Sequence, residues 1–361
     1  MLFRSTSDFA VEQRFPFITE PMPLFYLHIG AGKTGTSFLQ AQLALQHKAL
    51  FNCNIYYPTS KRLLRRTRNG EVTSGNIEDL MPWLLPKHPS VIRNGRVGEP
   101  WLGQSIEWLE TTINTARGRN ILLSGEALQH AESDRISDLV NRIQGLSYET
   151  RIIFFVRHAL DHALSDYREH VQRGFRDGYD RHDLRSVEGW LTNHKVPYFR
   201  TIKSFSTVLG DSKMIVRSYD ALKHELWNSF LGLVGLPPLP TVENSTNGTI
   251  NRSLTILETQ FLESAASRLS QREMLNIGMK LISKPPFKVM GVEPKSFMIS
   301  DGVLDVFQNS HKAMIEDINK RWLNALSTPI HVIPPNFKSG ESKARPLQLL
   351  DLAYSLLSDR A

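Results

Sequence analysis

Four short apolar runs constrain the fold of this chain more than any other feature. They cover residues 24–29, 121–123, 152–156 and 214–216. Each run has the length of a buried strand, and helix-like or turn-like sequence follows it. Predicted helices at 34–47 and 159–172 leave the first and third runs. This alternation predicts an α/β fold of three layers, in which helices flank both sides of a parallel sheet.

The rest of the 361 residues is interpreted as part of the same single domain. We expect an N-terminal extension at 1–22, an insert at 56–118, a largely helical part after Asp220, and a tail with a short helix at 339–361. A separate C-terminal domain is the alternative that the sequence leaves open. Apolar residues make up 41% of the chain, which supports a sizeable core and excludes disorder as the main state.

Composition predicts the cellular compartment and limits the possible binding partners. A single cysteine, Cys53, cannot form an internal disulfide, so a reducing cytoplasm is expected. No apolar run approaches the roughly 20 residues that a membrane span needs, and charges interrupt the N-terminus where a secretory signal would lie. The net charge of +7 fits an anionic nucleotide or acidic substrate. The basic run 61–68 lacks interleaved aromatics, so no nucleic-acid partner is predicted.

A glycine-rich loop follows the first predicted strand and opens the first helix. Its glycines allow successive backbone N–H groups to converge on one anion, and the helix N-terminus adds its dipole. Lys33 adds a positive charge. The glycines are Gly30, Gly32 and Gly35, and the hydroxyl residues are Thr34, Thr36 and Ser37. A P-loop-like phosphate or sulfate site is predicted here, although Leu27 stands where a triphosphatase loop requires glycine.

A second anion site is predicted at the end of the third strand. Arg157 follows the run 152–156, and Ser165 comes eight residues later on the next helix. The carboxyl end of this strand opens into the same crevice as the first loop, and a guanidinium can hold two phosphate oxygens at once. Taken singly, Arg157 could be a solvated strand-end charge. Helical spacing places Ser165 on the wetter face of its helix, where it could be an exposed residue.

Together the two segments resemble the motifs of sulfotransferases that use 3′-phosphoadenosine-5′-phosphosulfate (PAPS). Residues 33–37, Lys-Thr-Gly-Thr-Ser, are similar to the 5′-phosphosulfate loop, with Gly32 in place of the usual proline. Residues 156–167 are similar to the 3′-phosphate motif, in which Arg157 and Ser165 keep the family spacing. Ala159 and His162 replace a proline and an arginine of that motif. The sequence around the loop looks like the bacterial, carbohydrate-type branch of the family.

The resemblance implies transfer of a sulfuryl group from PAPS to an acceptor hydroxyl on a carbohydrate or glycoconjugate. It implies that Lys33 contacts the 5′-phosphosulfate and steadies charge on the leaving oxygen. Residues 34–37 would hold the phosphate at the 5′ end, whereas Arg157 and Ser165 would hold the 3′-phosphate. The family resemblance is clear over roughly 24–45 and 120–220.

A general base is predicted at the end of the second strand. Glu126 follows the run 121–123, and a carboxylate there can take the proton of the acceptor hydroxyl. Partial burial would raise its pKa toward neutrality. Glu126 could instead be a helix N-terminal carboxylate stabilised by the helix dipole. His130 is the alternative base, whereas His28 and His158 are predicted to be structural.

The location of the acceptor site can be predicted from the sequence. Residues outside the donor loops must line its site, which favours the insert 56–118 and the region 175–200. The twelve histidines show no metal-ligand spacing, so no metal is expected. Two other functions remain open, a nucleotide-dependent kinase and a non-catalytic polyanion-binding protein. Against a kinase, no apolar strand ends in the aspartate that would hold Mg²⁺.

Overall fold

A parallel sheet forms the centre of the molecule. The computed structural model describes residues 21–71, 73, 75–175, 185–242, 253–266, 268–283, 296–323 and 328–340. Within these ranges the strands are β1 (Leu24–Ile29), β2 (Ile55–Tyr56), β3 (Asn120–Ser124), β4 (Glu149–Val156) and β5 (Met214–Ser218). All neighbouring strands are parallel, in the order β2-β3-β1-β4-β5. The predicted α/β fold is confirmed.

Helices cover the sheet and fill most of the remaining described chain. They are α1 (Thr36–Leu45), α2 (His47–Asn52), α3 (Lys61–Arg68), α4 (Met81–Leu84), α5 (Pro89–Arg93), α6 (Glu99–Ala116), α7 (Ser133–Gly145), α8 (Ala159–Gln172), α9 (Val187–Asn193), α10 (Tyr198–Leu209), α11 (Tyr219–Leu222), α12 (Leu226–Leu233), α13 (Ile256–Ala265), α14 (Gln271–Ile282) and α15 (Asp301–Arg321). Short 3₁₀ helices lie at Glu126–His130 and Asp211–Lys213.

The core explains why the strand runs are almost continuously apolar. Side chains of β1 alternate between two apolar layers, with Phe25 and Leu27 in one layer and Tyr26 in the other. The same alternation on β4 places Phe154 and Phe155 in opposite layers. Because helices cover both faces, the positions of the central strands β1, β3 and β4 are almost all buried, and the polar alternation of a half-exposed sheet is lost there. The edge strand β5 keeps an alternation of buried and half-buried residues.

The predicted strands and helices lie where the structure has them, but several bounds differ. The first helix spans Thr36–Leu45 instead of 34–47, because the chain turns at Gln46 and begins α2 as a separate helix. Strand β4 begins at Glu149, three residues before the predicted run. Strand β2 was not predicted, since its two residues, Ile55–Tyr56, are too few to show a pattern. Residues 1–20 of the predicted N-terminal extension lie outside the described residues. Residues 341–361 of the predicted tail lie outside them as well.

Two further observations bear on the setting of the chain. Within the described residues, no helix combines the length and the apolarity needed to cross a lipid bilayer. Cys53 lies half-buried at the end of α2, with no disulfide.

The strand order determines what meets at the edge of the sheet. β1 is central and pairs with β3 on one side and β4 on the other, with Leu27 opposite both Leu123 and Ile152. The carboxyl ends of these three parallel strands therefore lie side by side. The loop after β1, Glu126 after β3 and Arg157 after β4 all begin at that edge, where parallel α/β sheets bind their ligands.

Candidate active site

The loop between β1 and α1 has a backbone that only certain residues tolerate. Gly35 has a φ of 74°, and Lys33, which is not a glycine, has a φ of 68°. A side chain at Gly30 would place its Cβ 2.3 Å from Thr36 Cγ2, so this position must be glycine. Positive φ at a lysine costs conformational energy, and such outliers concentrate at functional sites.

The hydroxyl groups of the loop partly support the loop itself. Thr34 is buried, and its Oγ1 donates a 2.6 Å hydrogen bond to the Ala31 carbonyl. Thr36 is also buried, and Ser37 is half-buried. No side chain caps the N-terminus of α1, where Gly35 occupies the N-cap position. The first amides of α1 thus point toward the loop without a side-chain acceptor, which is the arrangement that favours an anion.

Arg157 lies directly against this loop. Its Nη1 donates a 3.2 Å hydrogen bond to the Lys33 carbonyl, and its Nε lies 3.5 Å from Asp220 Oδ1. Asp220 is well buried and also accepts a 2.8 Å hydrogen bond from the His158 amide. The guanidinium carbon is 5.5 Å from the centroid of the Tyr219 ring. The structure therefore brings Lys33 and Arg157 side by side at one edge of the sheet.

Ser165 does not lie on a wet face, and that prediction is wrong. It is 9% exposed, and its neighbours His162, Ala163 and Leu164 are buried as well. Helical spacing identified the apolar face of α8 correctly, but the opposite face is covered too, because α9, α13 and α14 pack around this helix. Its assignment to a 3′-phosphate remains a prediction.

The ammonium group of Lys33 forms an ion pair with Glu169 of α8. Arg173, one helical turn further along, pairs with the same carboxylate. The side chains of Lys33 and Glu169 are 17% and 25% exposed, so the pair lies at the mouth of the site instead of in the core. Glu169 therefore shares its charge between two cations, one from the loop and one from its own helix.

Glu126 begins the 3₁₀ helix after β3 and lies against the loop. A Cβ added to Gly32 would be 2.9 Å from Glu126 Oε1, so a bulkier residue there would crowd the carboxylate. Surrounding protein raises the pKa of Glu126, and the negative charges of Glu169 and Asp166 raise it further. Lys33 opposes that shift. A carboxylate with a raised pKa is a better proton acceptor than an ordinary surface glutamate.

Two adjoining cavities open beside Glu126. Their volumes are about 640 Å³ and 540 Å³, and both are lined by Glu126, Gln129, His130 and Asp166. Residues of both predicted acceptor regions line them, and their role in acceptor binding stays a prediction. The insert supplies Met81, His88 and Ser90, and the region up to residue 200 supplies Trp190, Pro197 and Arg200. Tyr198 does not line either cavity and is buried in the core instead.

Asp166 and Glu169 are site residues that sequence reasoning missed. Burial and then the neighbouring Glu169 raise the pKa of Asp166 to about 6, while Lys33 opposes that shift. Their positions on α8, one and four residues after Ser165, are the sequence feature that could have identified them. Helical spacing placed Glu169 on the wetter face of α8, and nothing in the sequence pattern indicated that either residue lies beside the loop after β1.

Three histidines with predicted roles lie near the site. His28 is fully buried and its Nδ1 pairs with Ser124 Oγ at 2.8 Å. His158 precedes α8, and its Nδ1 accepts a 3.0 Å hydrogen bond from the His331 amide. His130 lines both cavities, where burial and then the nearby His88 lower its pKa. Glu126 and His130 both line these cavities, and the choice between them as general base stays a prediction.

Comparisons with known proteins find only distant structural similarity. No protein-family profile and no curated protein sequence matches this chain. A sulfotransferase from Alicyclobacillus acidocaldarius is a similar solved structure, at 16% identity and a TM-score of 0.38, over 74% of this chain and 98% of that one. The sulfotransferase domain of the Synechococcus PCC 7002 olefin synthase gives 12% identity and a TM-score of 0.35, over 74% and 98%.

A third similar solved structure is the sulfotransferase domain of the curacin biosynthetic pathway. It is 12% identical with a TM-score of 0.34, over 81% of this chain and 98% of that domain. Likenesses at these TM-scores do not place the chain in a family.

Proposed function

We propose that this chain is a sulfotransferase that moves a sulfuryl group from PAPS to an acceptor hydroxyl. The observation that carries the proposal is the contact between Arg157 and the Lys33 carbonyl, at 3.2 Å. Two cations from two different strand ends thus flank one helix N-terminus that no side chain caps. A nucleotide with phosphates on both its 5′ and 3′ carbons offers two separate anions for such a pair.

At the 5′ end, the loop after β1 would hold the phosphosulfate. The amides that begin α1 supply hydrogen-bond donors and the positive end of the helix dipole. Lys33 adds a positive charge, and its ammonium group now pairs with Glu169. When the more highly charged PAPS displaces Glu169 from this pair, the ammonium group can reach the oxygen that bridges phosphorus and sulfur. At the 3′ end, the planar guanidinium of Arg157 would bind phosphate oxygens, held in orientation by Asp220.

The chemistry then needs one proton acceptor and one charge stabiliser. The acceptor oxygen attacks sulfur in line, the bond between sulfur and the phosphate oxygen breaks, and adenosine 3′,5′-bisphosphate leaves. The hydroxyl proton passes to Glu126, whose pKa is raised by its surroundings. The negative charge that develops on the departing phosphate oxygen is stabilised by Lys33, as in other group transfers that depend on positioning and electrostatics.

The acceptor would occupy the cavities beside Glu126. Their walls carry carboxylates, imidazoles, amides and hydroxyls from Asp166, His130, Gln129 and Thr201, with Trp190 on one side. Several hydrogen-bonding groups around one aromatic ring suit a molecule rich in hydroxyls. We therefore propose a carbohydrate or glycoconjugate as the acceptor class.

The decisive experiment is calorimetry without divalent cations. We expect adenosine 3′,5′-bisphosphate to bind more tightly than adenosine 5′-monophosphate, because the latter has nothing for Arg157 to hold. Transfer of radiolabelled sulfate from PAPS to pooled glycans then tests the reaction itself. Equal affinity for the two nucleotides would contradict the two-anion site.

The same titrations separate the competing functions. A kinase would bind ATP in the presence of Mg²⁺ and would not prefer the bisphosphate. A polyanion-binding protein would bind an anionic glycan with a steep dependence on salt concentration and would ignore both nucleotides.

A further inference from the structure

Two histidines and an aspartate meet behind the larger cavity. His162 and Asp166 lie one turn apart on α8, so both project from the same side of that helix. His194 directly follows α9. One potential ligand atom from each of these three side chains lies within 4.8 Å of the other two. His162 and Asp166 also line the cavity that contains Glu126.

The imidazoles of this cluster contain nitrogens that the described protein does not satisfy. His162 is 2% exposed, and its Nδ1 is buried without a hydrogen-bond partner. The Nε2 of His194 is buried and unpartnered in the same way. Asp166 Oδ2 lies 3.9 Å from that Nε2, which is too far for a hydrogen bond. Native proteins seldom leave buried polar atoms unpaired, so these atoms require an explanation.

Aromatic packing holds both rings in place. The ring of Trp190 stacks on His194 with centroids 4.8 Å apart, and His194 stacks in turn on His162 at 6.0 Å. Tyr198 meets the His162 ring edge-on at 4.8 Å. The two imidazoles are therefore oriented by their neighbours, as a preorganised ligand set requires.

A contact with the backbone also suits one of these rings to bind a metal ion. The backbone of Gly32 interacts with the His162 ring as a hydrogen-bond partner, the outer contact that commonly orients a metal-binding histidine.

We propose that His162, Asp166 and His194 bind one divalent transition-metal ion of the zinc type. Two imidazoles and a carboxylate are a ligand set that zinc uses when one coordination position stays open. That open position would face the cavity, because two of the three ligands line it. The proposal departs from the sequence-based expectation of no metal.

The distances specify how the site must adjust. Bonds of 2.0–2.2 Å in a tetrahedron separate ligand atoms by about 3.3–3.6 Å. The present separations reach up to 4.8 Å, so the side chains must close in when the ion binds. Asp166 is the most suitable to move, because its side chain is 36% exposed while that of His194 is 10% exposed.

An ion at this position would act on the molecule in the cavity. A water or hydroxyl group in the open coordination position has a lowered pKa and loses its proton more readily. Glu126 lines the same cavity and could receive that proton. The metal-binding proposal does not depend on sulfuryl transfer, since binding of the ion can be measured without any nucleotide.

The test is titration of the untagged, chelator-treated chain with Zn²⁺ and, as a spectroscopic substitute, Co²⁺. We expect one ion per chain and visible Co²⁺ absorption of the intensity typical of four-coordinate sites. His194→Gln and Asp166→Asn should each weaken binding at least about a hundredfold, because even outer-shell losses cost 10–100-fold. His224→Gln, which changes an exposed histidine, is the matched control and should bind normally.

Three results would overturn the proposal: no stoichiometric binding, binding that survives both ligand substitutions, or an equal loss in the His224→Gln control. Circular dichroism and thermal melting identify any variant that fails to fold, and His162→Gln is avoided because that ring is deeply buried. Bisphosphate affinity, measured on the same samples, reports separately on the donor site. Failure of the metal site and failure of the sulfotransferase proposal are thus distinguishable.

Discussion

Lys33 and Arg157 lie side by side, but the protein holds them in different ways. Lys33 has a left-handed backbone, and its ammonium pairs with Glu169, a partly exposed carboxylate that also pairs with Arg173. Arg157 is fastened by the 8%-exposed Asp220, by the Lys33 carbonyl and by the neighbouring Tyr219 ring. The first cation has an exchangeable partner, whereas the second is built into the strand end.

This difference indicates different tasks for the two cations. A side chain whose counter-ion can be displaced is free to follow charge as it develops during a reaction. A guanidinium fixed by buried partners presents a constant shape, which suits recognition of a phosphate that does not react. Lys33 should therefore matter most for turnover, and Arg157 for nucleotide affinity.

The largest effect is expected at Lys33. Lys33→Ala should lower kcat about 100- to 1,000-fold, as loss of one preorganised charge donor does. Initial rates of sulfate transfer at saturating PAPS measure it, with Lys87→Ala, an 88% exposed lysine, as the control. A folded Lys33→Ala protein with near-normal turnover would remove Lys33 from the mechanism.

The proton acceptor on the Lys33 side of the site comes next. Glu126→Gln should lower kcat about a hundredfold, the lower range for general bases. Glu126 acts when ionised and its pKa is raised above its ordinary 4.5, so the rate should rise as pH increases through that raised pKa. The pH–rate profile of Glu126→Gln should lack this limb. If the limb persists, His130 becomes the better candidate.

Substitution of Arg157 should affect nucleotide affinity more than turnover, the reverse of the effect expected at Lys33. Arg157→Ala should weaken adenosine 3′,5′-bisphosphate about 10- to 100-fold, the value of a charged hydrogen-bonded contact. It should leave the affinity for adenosine 5′-monophosphate nearly unchanged. Calorimetry on both nucleotides measures the two constants. An equal loss for both would contradict a 3′-phosphate contact and indicate damage to the neighbouring loop.

Asp220, the partner of Arg157, should contribute more to stability than Glu169, the partner of Lys33. Asp220→Asn should lower the free energy of unfolding by about 1–3 kcal/mol, because it weakens a buried partner of Arg157 and of the His158 amide. Glu169→Gln should change it by less than about 1 kcal/mol, since partly exposed ion pairs contribute little. Urea unfolding of both variants measures the difference. Equal losses would make the Lys33 pair as structural as the Arg157 pair.

The smallest effect in the series tests whether Glu169 is exchangeable. If it competes with the donor for Lys33, Glu169→Gln should tighten bisphosphate binding severalfold, on the scale of a weak ion pair. Calorimetry at low salt measures this change. Weaker binding in Glu169→Gln would show that Glu169 positions Lys33 instead of competing for it.

Much of the donor side could be predicted from the sequence. The strand runs, the loop after β1 and helix α8 have local signatures, because buried strands, glycine turns and amphipathic helices depend on neighbouring residues. Parallel strands place their carboxyl ends together, so the shared edge for Lys33, Glu126 and Arg157 followed from the same pattern. Ser165 was misplaced because a single helix shows its apolar side without showing what covers the other side.

The sequence by itself determined four strands of the sheet, the edge at which ligands would bind, and the residues that reach that edge from the strand ends. Only the tertiary structure decided that Glu169 pairs with Lys33, that Asp166 faces the same cavity as Glu126, and that His194 meets His162. The physical reason is the range of each interaction. Periodicity encodes contacts within one element, whereas the packing of α8 and α9 beside the loop depends on side chains far apart in the chain.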